Sequence, residues 1–203
     1  MKIAIIGAAG RAGSRIQAEL LRRGHSVTAI VRDPTKVAAA PGLTVKAGDG
    51  NDAGTLAPLL AGHDAVVSAV MFLMSDADSL IGAVKASGVP RYLVVGGAGS
   101  LEVAPGVRLI DTPDFPDLYK AEASKGAEFL DRLKAEPDLN WTFLSPSAEF
   151  VLGERSGKFR LGDDALLVDG AGRSWISYED FAVALVDEIE TPKQERKRFT
   201  VGY

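Results

Sequence analysis

Lys2-Ile-Ala-Ile-Ile-Gly7-Ala-Ala-Gly10-Arg-Ala-Gly13-Ser-Arg-Ile16 is the most informative stretch of this chain. The apolar run from Ile3 to Ile6 predicts a strand that is buried on both faces. Glycines punctuate the turn that follows, and from Arg11 onward apolar residues recur at helical spacing. The stretch therefore predicts a strand, a tight turn and the start of a helix.

This turn has the features of an anion-binding site. The first N–H groups of a helix have no partner within the helix, and with the helix dipole they favour a negative group above the turn. Glycines leave room for the turn, for a pyrophosphate and for close packing of helix on strand. Because a second strand follows at the expected distance, the motif predicts a dinucleotide-binding turn rather than a turn that merely needs small residues. The contacts predicted here are Gly7, Ala9, Gly10, Arg11, Ala12 and Gly13.

Composition limits the class of protein. A chain of 203 residues with 46% hydrophobic content predicts a single domain spanning residues 1–203. The net charge of −4 argues against a nucleic-acid-binding face, and no cysteine is present to form a disulfide or a thiolate metal site. The longest apolar run, Ala65–Met74, is too short to span a membrane. We expect a cytoplasmic protein that binds neither nucleic acid, membrane nor metal; a homodimer is left open.

Strands and helices alternate through the first half. Further strands are predicted at 26–31, 43–47, 65–70 and 91–95, with helices between them. Asp52 and a capping box at Ser75 and Asp78 predict two helix starts, and Gly24 and Gly88 predict two helix ends. This order is typical of an α/β fold, a doubly wound and mostly parallel sheet with helices on both faces.

The second half is less regular. A loop from Leu101 to Pro116 precedes a helix over 117–135, whose inward face is predicted to carry Leu118, Phe129, Leu130 and Leu133. Strands are predicted at 140–144, 158–161, 165–168 and 198–201, and Ser177 and Asp180 form another capping box. We expect a nucleotide-binding core over 1–145 and a small C-terminal substrate lobe over 146–203 that partly returns to the core.

Arg32 follows the second strand, where this type of fold contacts the adenosine ribose. An arginine there favours the 2′-phosphate of NADP, whereas an acid favours the free hydroxyl of NAD. Asp33 comes next and would favour NAD if it faced the ribose instead. Arg11 could add a second phosphate contact. The sequence therefore favours NADP(H) over NAD(H).

Other strand ends supply further cofactor contacts. Asp49 and Gly50 follow the third strand, where adenine would lie, although Asp49 could equally cap the next helix. The backbone after the fourth strand is expected to pass beneath the ribose and pyrophosphate. The remaining predicted contacts are Ser68, Ala69, Val70, Gly96, Gly97 and Pro146.

The catalytic pattern of many short-chain dehydrogenases, Tyr-x-x-x-Lys, is absent. Tyr119 lies on the appropriate helix, but Ala123 occupies the lysine position. Alcohol–ketone chemistry through that pair is therefore disfavoured. Flavins and quinones take a hydride without it and need only to be held against the nicotinamide. Tyr119 and Ser100 are the catalytic candidates, and the predicted substrate contacts are Met71, Phe72, Ser145, Ser147 and Phe150.

Six segments resemble the atypical, NmrA-like short-chain dehydrogenase/reductases, and among them the presumed NADH-flavin reductases. The resemblance spans nearly the whole chain and implies a Rossmann fold, a bound NAD(P)(H) and reduction of a flavin (FMN or FAD) or quinone. The segments are Gly7-Ala-Ala-Gly-Arg-Ala-Gly13, Val31-Arg-Asp-Pro34, Val94-Val-Gly-Gly-Ala-Gly-Ser100, Asp111-Thr-Pro-Asp-Phe-Pro116, Trp141-Thr-Phe-Leu-Ser-Pro146 and Ile176-Ser-Tyr-Glu-Asp-Phe-Ala182.

Three functions are consistent with these features. The first is NAD(P)H-dependent reduction of a small-molecule electron acceptor, a flavin or quinone. The second is a sensor of the NmrA type, which binds the dinucleotide without turning it over. A nucleotide-sugar epimerase or dehydratase is third, because the Tyr-x-x-x-Lys pair is missing.

Overall fold

The computed structural model describes all residues from Met1 to Tyr203. None of its helices has the length and hydropathy needed to cross a membrane. The helices are α1 (Arg11–Arg22), α2 (Ala53–Leu60), α3 (Ala77–Ser87), α4 (Asp117–Lys134) and α5 (Tyr178–Glu190). The strands are β1 (Lys2–Ile6), β2 (Ser26–Val31), β3 (Leu43–Ala47), β4 (Ala65–Ser68), β5 (Tyr92–Val95), β6 (Glu102–Ala104), β7 (Val107–Arg108), β8 (Trp141–Pro146), β9 (Glu149–Val151), β10 (Arg160–Gly162), β11 (Trp175–Ser177) and β12 (Lys197–Gly202).

Eight strands form one sheet in the order β10-β12-β8-β5-β4-β1-β2-β3. Every pair in it is parallel except β10 with β12. The predicted doubly wound α/β fold is confirmed. Strand order reverses beside β1, which lies between β2 and β4, and ligands bind at such a reversal in open parallel sheets.

The sheet is covered on both faces. Ile3 and Ile5 of β1 belong to one apolar cluster, which includes residues of α1 and α5. Ala4 and Ile6 belong to a second, which includes residues of α2, α3 and α4. Adjacent residues of β1 therefore point into opposite cores, which is why the run from Ile3 to Ile6 is apolar throughout.

Most predicted helix ends are confirmed, with one correction. Asp52 caps α2 by accepting the N–H of Thr55, and Gly88 ends α3 in the left-handed conformation. The cap of α3 is Asp76, whose carboxylate accepts the Ser79 N–H at 2.7 Å. The predicted capping box at Ser75 is therefore wrong by one residue; the Ser75 hydroxyl instead donates to the Met71 carbonyl.

The second half departs from its prediction in four places. The loop after Leu101 contains the β6–β7 hairpin, and β9 pairs with β11 in a separate two-stranded sheet. No strand forms over 165–168, where Ala165 makes a single bridge to Glu102. Leu118, predicted to face inward, is 82% exposed because the first turn of α4 projects beyond the core. These differences arise from long-range pairing, which local sequence does not encode.

A short segment ties the C-terminal region to the rest of the fold. We call residues 153–157 the strap. The Arg155 guanidinium forms a bidentate pair with Glu19 of α1, at 2.8 and 3.0 Å. The other bonds run to α5 and its cap: Gly153 N–H to Glu179, Gly157 N–H to Asp180, and the Ser177 hydroxyl to the Glu154 carbonyl.

Glu19 is the most heavily paired carboxylate of the chain, and only 4% of it is exposed. Burial raises its pKa, but hydrogen bonds from Arg155, Arg22 and Arg23 outweigh that effect and hold the pKa far below the ordinary value of 4.5. The ionised carboxylate is therefore a fixed part of the contact between α1 and the strap.

Candidate functional site

The turn after β1 depends on two of its glycines. Gly7 has φ of +83°, and a Cβ there would lie 2.5 Å from the Ala69 carbonyl oxygen. A Cβ on Gly13 would lie 2.3 Å from the Gly7 carbonyl oxygen. Both clashes are with backbone, so the glycines allow the turn, the tail of β4 and the first turn of α1 to pack together.

The N-terminus of α1 leaves several amides without a partner. Gly10 N–H donates to the Gly7 carbonyl at 3.0 Å, and Ser14 N–H donates to the Gly10 carbonyl at 2.9 Å. The N–H groups of residues 11–13 have no acceptor in the protein. Gly10 is the N-cap and offers no side chain that could accept them. These amides and the helix dipole are available to an anion.

A cleft of about 340 Å³ opens beside this turn. It lies where strand order reverses, at the carboxyl ends of β1, β2, β3 and β4. Nine of the predicted site residues line it: Gly7, Ala9, Gly10, Arg32, Asp49, Gly50, Ala69, Val70 and Met71. Lys36, Asn51 and Met74 also line it and were missed by the sequence analysis. Of these, Lys36 had a readable signal, since Asp33-Pro34-Thr35 predicts a capped turn that would carry it beside Arg32.

The charged side chains at the cleft differ in whether they have a hydrogen-bond partner within the protein. Asp33 accepts the hydroxyl of Thr35 at 2.6 Å and its N–H at 3.1 Å, and these bonds lower the pKa of Asp33. One of its carboxylate oxygens is thereby engaged in capping the short turn Pro34–Lys36. Arg32 and Lys36 are exposed and have no hydrogen-bond or ion-pair partner in the protein. Arg11 is likewise exposed and unpaired at the start of α1.

Asp49 had two predicted roles, a contact with the adenine and a cap for the next helix, and the structure excludes the second. Asp52, and not Asp49, caps α2. Asp49 accepts the Asn51 N–H at 3.0 Å through one carboxylate oxygen, and its side chain lines the cleft. An acceptor is thus present at the carboxyl end of β3.

Several predicted cofactor contacts lie away from the cleft. The Ser68 hydroxyl is buried and hydrogen-bonds the Tyr92 hydroxyl at 2.9 Å, so its side chain points into the sheet. Gly96 is required by the core, because a Cβ there would lie 2.2 Å from the Phe143 ring. Pro146 is buried at the end of β8, and a Cβ on Gly97 would meet the Phe72 ring at an ordinary contact distance of 3.9 Å.

Four of the five predicted substrate contacts belong to the core. Phe72 is buried and packs on Phe129 and Phe143, with ring centroids 5.4 and 6.2 Å away. Ser145 and Ser147 are fully buried. Phe150 packs on the rings of Tyr178 and Phe181, at 4.1 and 4.7 Å. Met71 alone is open, with 60% of its surface exposed, and it lines the cleft.

The catalytic candidates differ in their surroundings. The Ser100 hydroxyl accepts from the Arg198 guanidinium at 3.3 Å, which engages it in anchoring its loop. Tyr119 is 58% exposed, and its phenol has no partner in the chain. The nearby ammonium groups are committed elsewhere, Lys120 to Asp117 and Lys125 to Glu128. The Tyr119 phenol therefore lacks the lysine partner that the Tyr-x-x-x-Lys pattern would supply for proton transfer.

The geometry of the cleft agrees with the comparison to known families. The model of the NAD(P)H-binding family matches residues 7–192. The chain belongs to the NAD(P)H-binding family. Within it, the chain is an NmrA-like atypical short-chain dehydrogenase/reductase, as its sequence segments predict.

Three solved structures show how closely the fold is shared. A presumed exported protein from Burkholderia pseudomallei is 45% identical over all of both chains, with a TM-score of 0.91. A presumed epimerase from Bacteroides thetaiotaomicron is 42% identical over all of this chain and 96% of that one, with a TM-score of 0.94. A presumed NADH-flavin reductase from Streptococcus pneumoniae is 36% identical over 100% of this chain and 99% of that one, with a TM-score of 0.85.

The residues present in this NAD(P)H-binding protein fit a dinucleotide. Free amides at residues 11–13 suit a pyrophosphate, and Gly10 is exposed with no side chain close to it. Arg32 and Lys36 suit a further phosphate, and Asp49 offers an acceptor at the far end of the cleft. The fold is that of an NAD(P)H-binding oxidoreductase.

Proposed function

We propose that the protein is an NADPH-dependent reductase of a flavin or quinone. The observation that carries this proposal is the cleft itself, which is lined by two unpaired cations and by the turn that leads into the free amides of α1. Arg32 and Lys36 have no partner in the protein, and neither do the amides of residues 11–13. A dinucleotide carrying a pyrophosphate and a 2′-phosphate would satisfy them.

The proposal of NADP(H) rather than NAD(H) is supported by a difference between Arg32 and Asp33 in their contacts with the protein. An acid that binds the ribose hydroxyls must turn its carboxylate toward them, and one oxygen of the Asp33 carboxylate already accepts both the hydroxyl and the N–H of Thr35. Arg32 is free, and Lys36 provides a second cation in the same cleft. Two cations beside one phosphate give charge-assisted hydrogen bonds that the hydroxyl of NAD cannot match.

We propose that the chain positions the dinucleotide and the acceptor, and that none of its side chains donates a proton to the acceptor. When bound, the nicotinamide supplies a hydride, which carries two electrons and one proton. The amides of residues 11–13 hold the pyrophosphate and so fix the reach of the dinucleotide. Tyr119 has no ammonium beside it, and the second proton of a two-electron reduction is therefore assigned to solvent.

An apolar rim next to the cleft is the proposed acceptor surface. We call Met71, Leu73, Leu118 and Tyr119 the acceptor rim; all four are more than half exposed. Large apolar side chains clustered at a surface mark a binding site more often than they occur by chance. A flat ring system such as an isoalloxazine or a quinone has the matching apolar face.

Turnover with defined acceptors tests the proposal. Purified protein is mixed with NADPH and either FMN or menadione, and oxidation is followed by the nicotinamide absorbance, with NADH in parallel. We expect oxidation that depends on acceptor and is faster with NADPH at limiting cofactor. Binding of NADPH without oxidation by either acceptor would contradict a reductase and favour the sensor.

Two observations keep other functions in view. The isolated Tyr119 phenol is what a non-catalytic sensor would also show. The Bacteroides relative carries the name of an epimerase, and an epimerase would return the hydride to its own substrate, leaving no net oxidation of NADPH. A cytoplasmic location and a homodimer stay predictions.

A further inference from the structure

The turn that carries Met71 is held in place from two sides. It is a single helical turn, Phe72–Met74, that directly follows the tail of β4. On the cleft side, the Asn51 amide donates to the Met74 carbonyl at 2.9 Å and accepts the Asp76 N–H at 2.8 Å. On the other side, the turn faces α4.

Glu122 makes the contact from α4. Its two carboxylate oxygens accept the N–H groups of Phe72 and Leu73, at 2.7 and 2.9 Å. Both donors lie at the start of the turn, where no carbonyl within the turn can accept them. Glu122 therefore caps a turn that belongs to a different part of the chain.

Glu122 differs from every other acid on its helix. Asp117, Glu128 and Asp131 each pair with a lysine of α4 at (i, i+3) spacing or the reverse. Glu122 has no cation partner, and Lys125, three residues on, pairs with Glu128 instead. Its only hydrogen bonds are to the backbone of the turn.

This contact joins the two halves of the acceptor rim. Leu118 and Tyr119 precede Glu122 by four and three residues, so the three side chains share one face of α4. Met71 directly precedes the two amides that Glu122 accepts, and Leu73 carries one of them. The buried ring of Phe72, packed on Phe129, anchors the turn beneath the contact.

We propose that Glu122 is a positioning residue that holds the Phe72–Met74 turn against α4 and thereby sets the acceptor rim beside the cofactor cleft. The proposal rests on the proposed function for the identity of the acceptor. It does not depend on the helix amides or on Arg32, which lie on the other side of the cleft. Loss of Glu122 should therefore affect the acceptor and spare the dinucleotide.

The test compares Glu122→Ala and Glu122→Gln with Glu128→Ala, an exposed acid of the same helix that pairs with Lys125. Flavin fluorescence gives the Kd of FMN for protein saturated with NADP⁺, which requires no turnover. Direct titration gives the Kd of NADP⁺, and menadione reduction gives KM and kcat.

We expect Glu122→Ala to raise the FMN Kd and the menadione KM about tenfold, because the turn loses both charge-assisted hydrogen bonds that hold it against α4. Glu122→Gln keeps one acceptor oxygen but places an NH₂ group against an N–H, and we expect a smaller rise of about threefold. The kcat and the NADP⁺ Kd should stay within about twofold of the native values, and Glu128→Ala should match the native protein throughout. Glu122→Gln carries the test if Glu122→Ala folds poorly.

Three results would overturn the proposal: an unchanged FMN Kd in both Glu122 variants, an NADP⁺ Kd that rises as much as the FMN Kd, or no FMN binding by the native protein. A native protein that binds FMN in a Glu122-dependent manner yet never oxidises NADPH would contradict the proposed function and leave the role of Glu122 standing. If the native protein oxidises NADPH with menadione and the Glu122 variants keep the native KM for menadione, the proposed function stands and the role of Glu122 is contradicted.

Discussion

The cofactor cleft and the strap differ in whether their polar groups have partners within the protein. At the cleft, the amides of residues 11–13, Arg32 and Lys36 have no partner in the protein. At the strap, consecutive residues are bonded to α1 or α5, and Glu19 is shared by three arginines. Both regions contact α1, the first at its N-terminus and the second along its side.

This difference separates groups that hold the fold from groups that can hold a ligand. A polar group already paired inside the protein contributes to the free energy of unfolding, and its loss leaves a partner unsatisfied. An exposed, unpaired group contributes little to folding and can give its hydrogen bonds to a ligand. Substitutions at the cleft should therefore change affinity, and substitutions at the strap should change stability.

The largest effect is expected at Gly7, because a substitution there should reduce both the stability of the fold and the affinity for the dinucleotide. Alanine there would adopt a left-handed conformation, at about 1–2 kcal/mol, and would press on the Ala69 carbonyl, at about 1–3 kcal/mol. We expect Gly7→Ala to lower the free energy of unfolding by about 2–5 kcal/mol in urea denaturation and to abolish NADPH binding. Gly24→Ala is the control, because Gly24 has φ of +80° with open space around it. Equal losses in the two variants would show that the close approach to β4 has no energetic weight.

Arg32 provides the clearest separation of affinity from stability. Arg32→Ala should cost about 1.5–3 kcal/mol of NADPH affinity and little of NADH affinity. Its free energy of unfolding without ligand should stay within about 0.5 kcal/mol of the native value. Lys36→Ala should show the same pattern with a smaller loss. Isothermal titration with both nucleotides measures this, and equal losses for the two would rule out phosphate recognition by Arg32.

Arg155 should show the opposite pattern. Arg155→Ala removes a bidentate partner from buried Glu19, and we expect a loss of about 1–2 kcal/mol in stability at neutral pH with an unchanged Kd for NADPH. Because the folded-state pKa of Glu19 is lowered, its contribution is complete above the ordinary value of 4.5 and is lost as pH falls toward the folded-state pKa. The difference in the free energy of unfolding between the variant and the native protein should therefore become smaller below that pH. Urea denaturation across the acid range measures it, and a gap that widens with acid would contradict the ion pair.

Leu118 should give the smallest effect. Leu118→Ser removes an apolar side chain that is 82% exposed, so the melting temperature should not change. If the side chain covers an acceptor, the KM for menadione should rise about twofold to fourfold, as expected for about 30 Å² of apolar contact. A native KM in this variant would remove Leu118 from the acceptor rim.

The nucleotide half was predictable because its signals are local. Gly7, Gly10 and Gly13 follow a strand and open a helix, and short connections between β and α elements allow few sheet orders. The positions of Arg32 and Asp49 at strand ends follow directly. The sequence could not show that Asp33 is engaged by Thr35, although Asp33-Pro34-Thr35 is a recognisable capped turn.

The burial of the residues predicted to contact substrate could not be inferred from the sequence, because neighbouring side chains point in different directions there. Met71 is open while Phe72 is core, and Ser145 and Ser147 both lie in the interior. Their orientation follows from the pairing of β8 with β12 and from the packing of α4, which are long-range contacts. Glu122 gave no sequence signal either, since its partners are backbone groups 49 and 50 positions away.

The contact between Gly99 and Ala123 has a consequence for evolution and engineering. A Cβ on Gly99 would come within 2.7 Å of the Ala123 Cβ, so helix and loop touch at the position where related dehydrogenases carry their lysine. A lysine at position 123 would have to place its longer side chain beside this close contact between helix and loop. We therefore expect that a single substitution would not be enough to give alcohol dehydrogenase activity, and that the loop and the helix would have to change together.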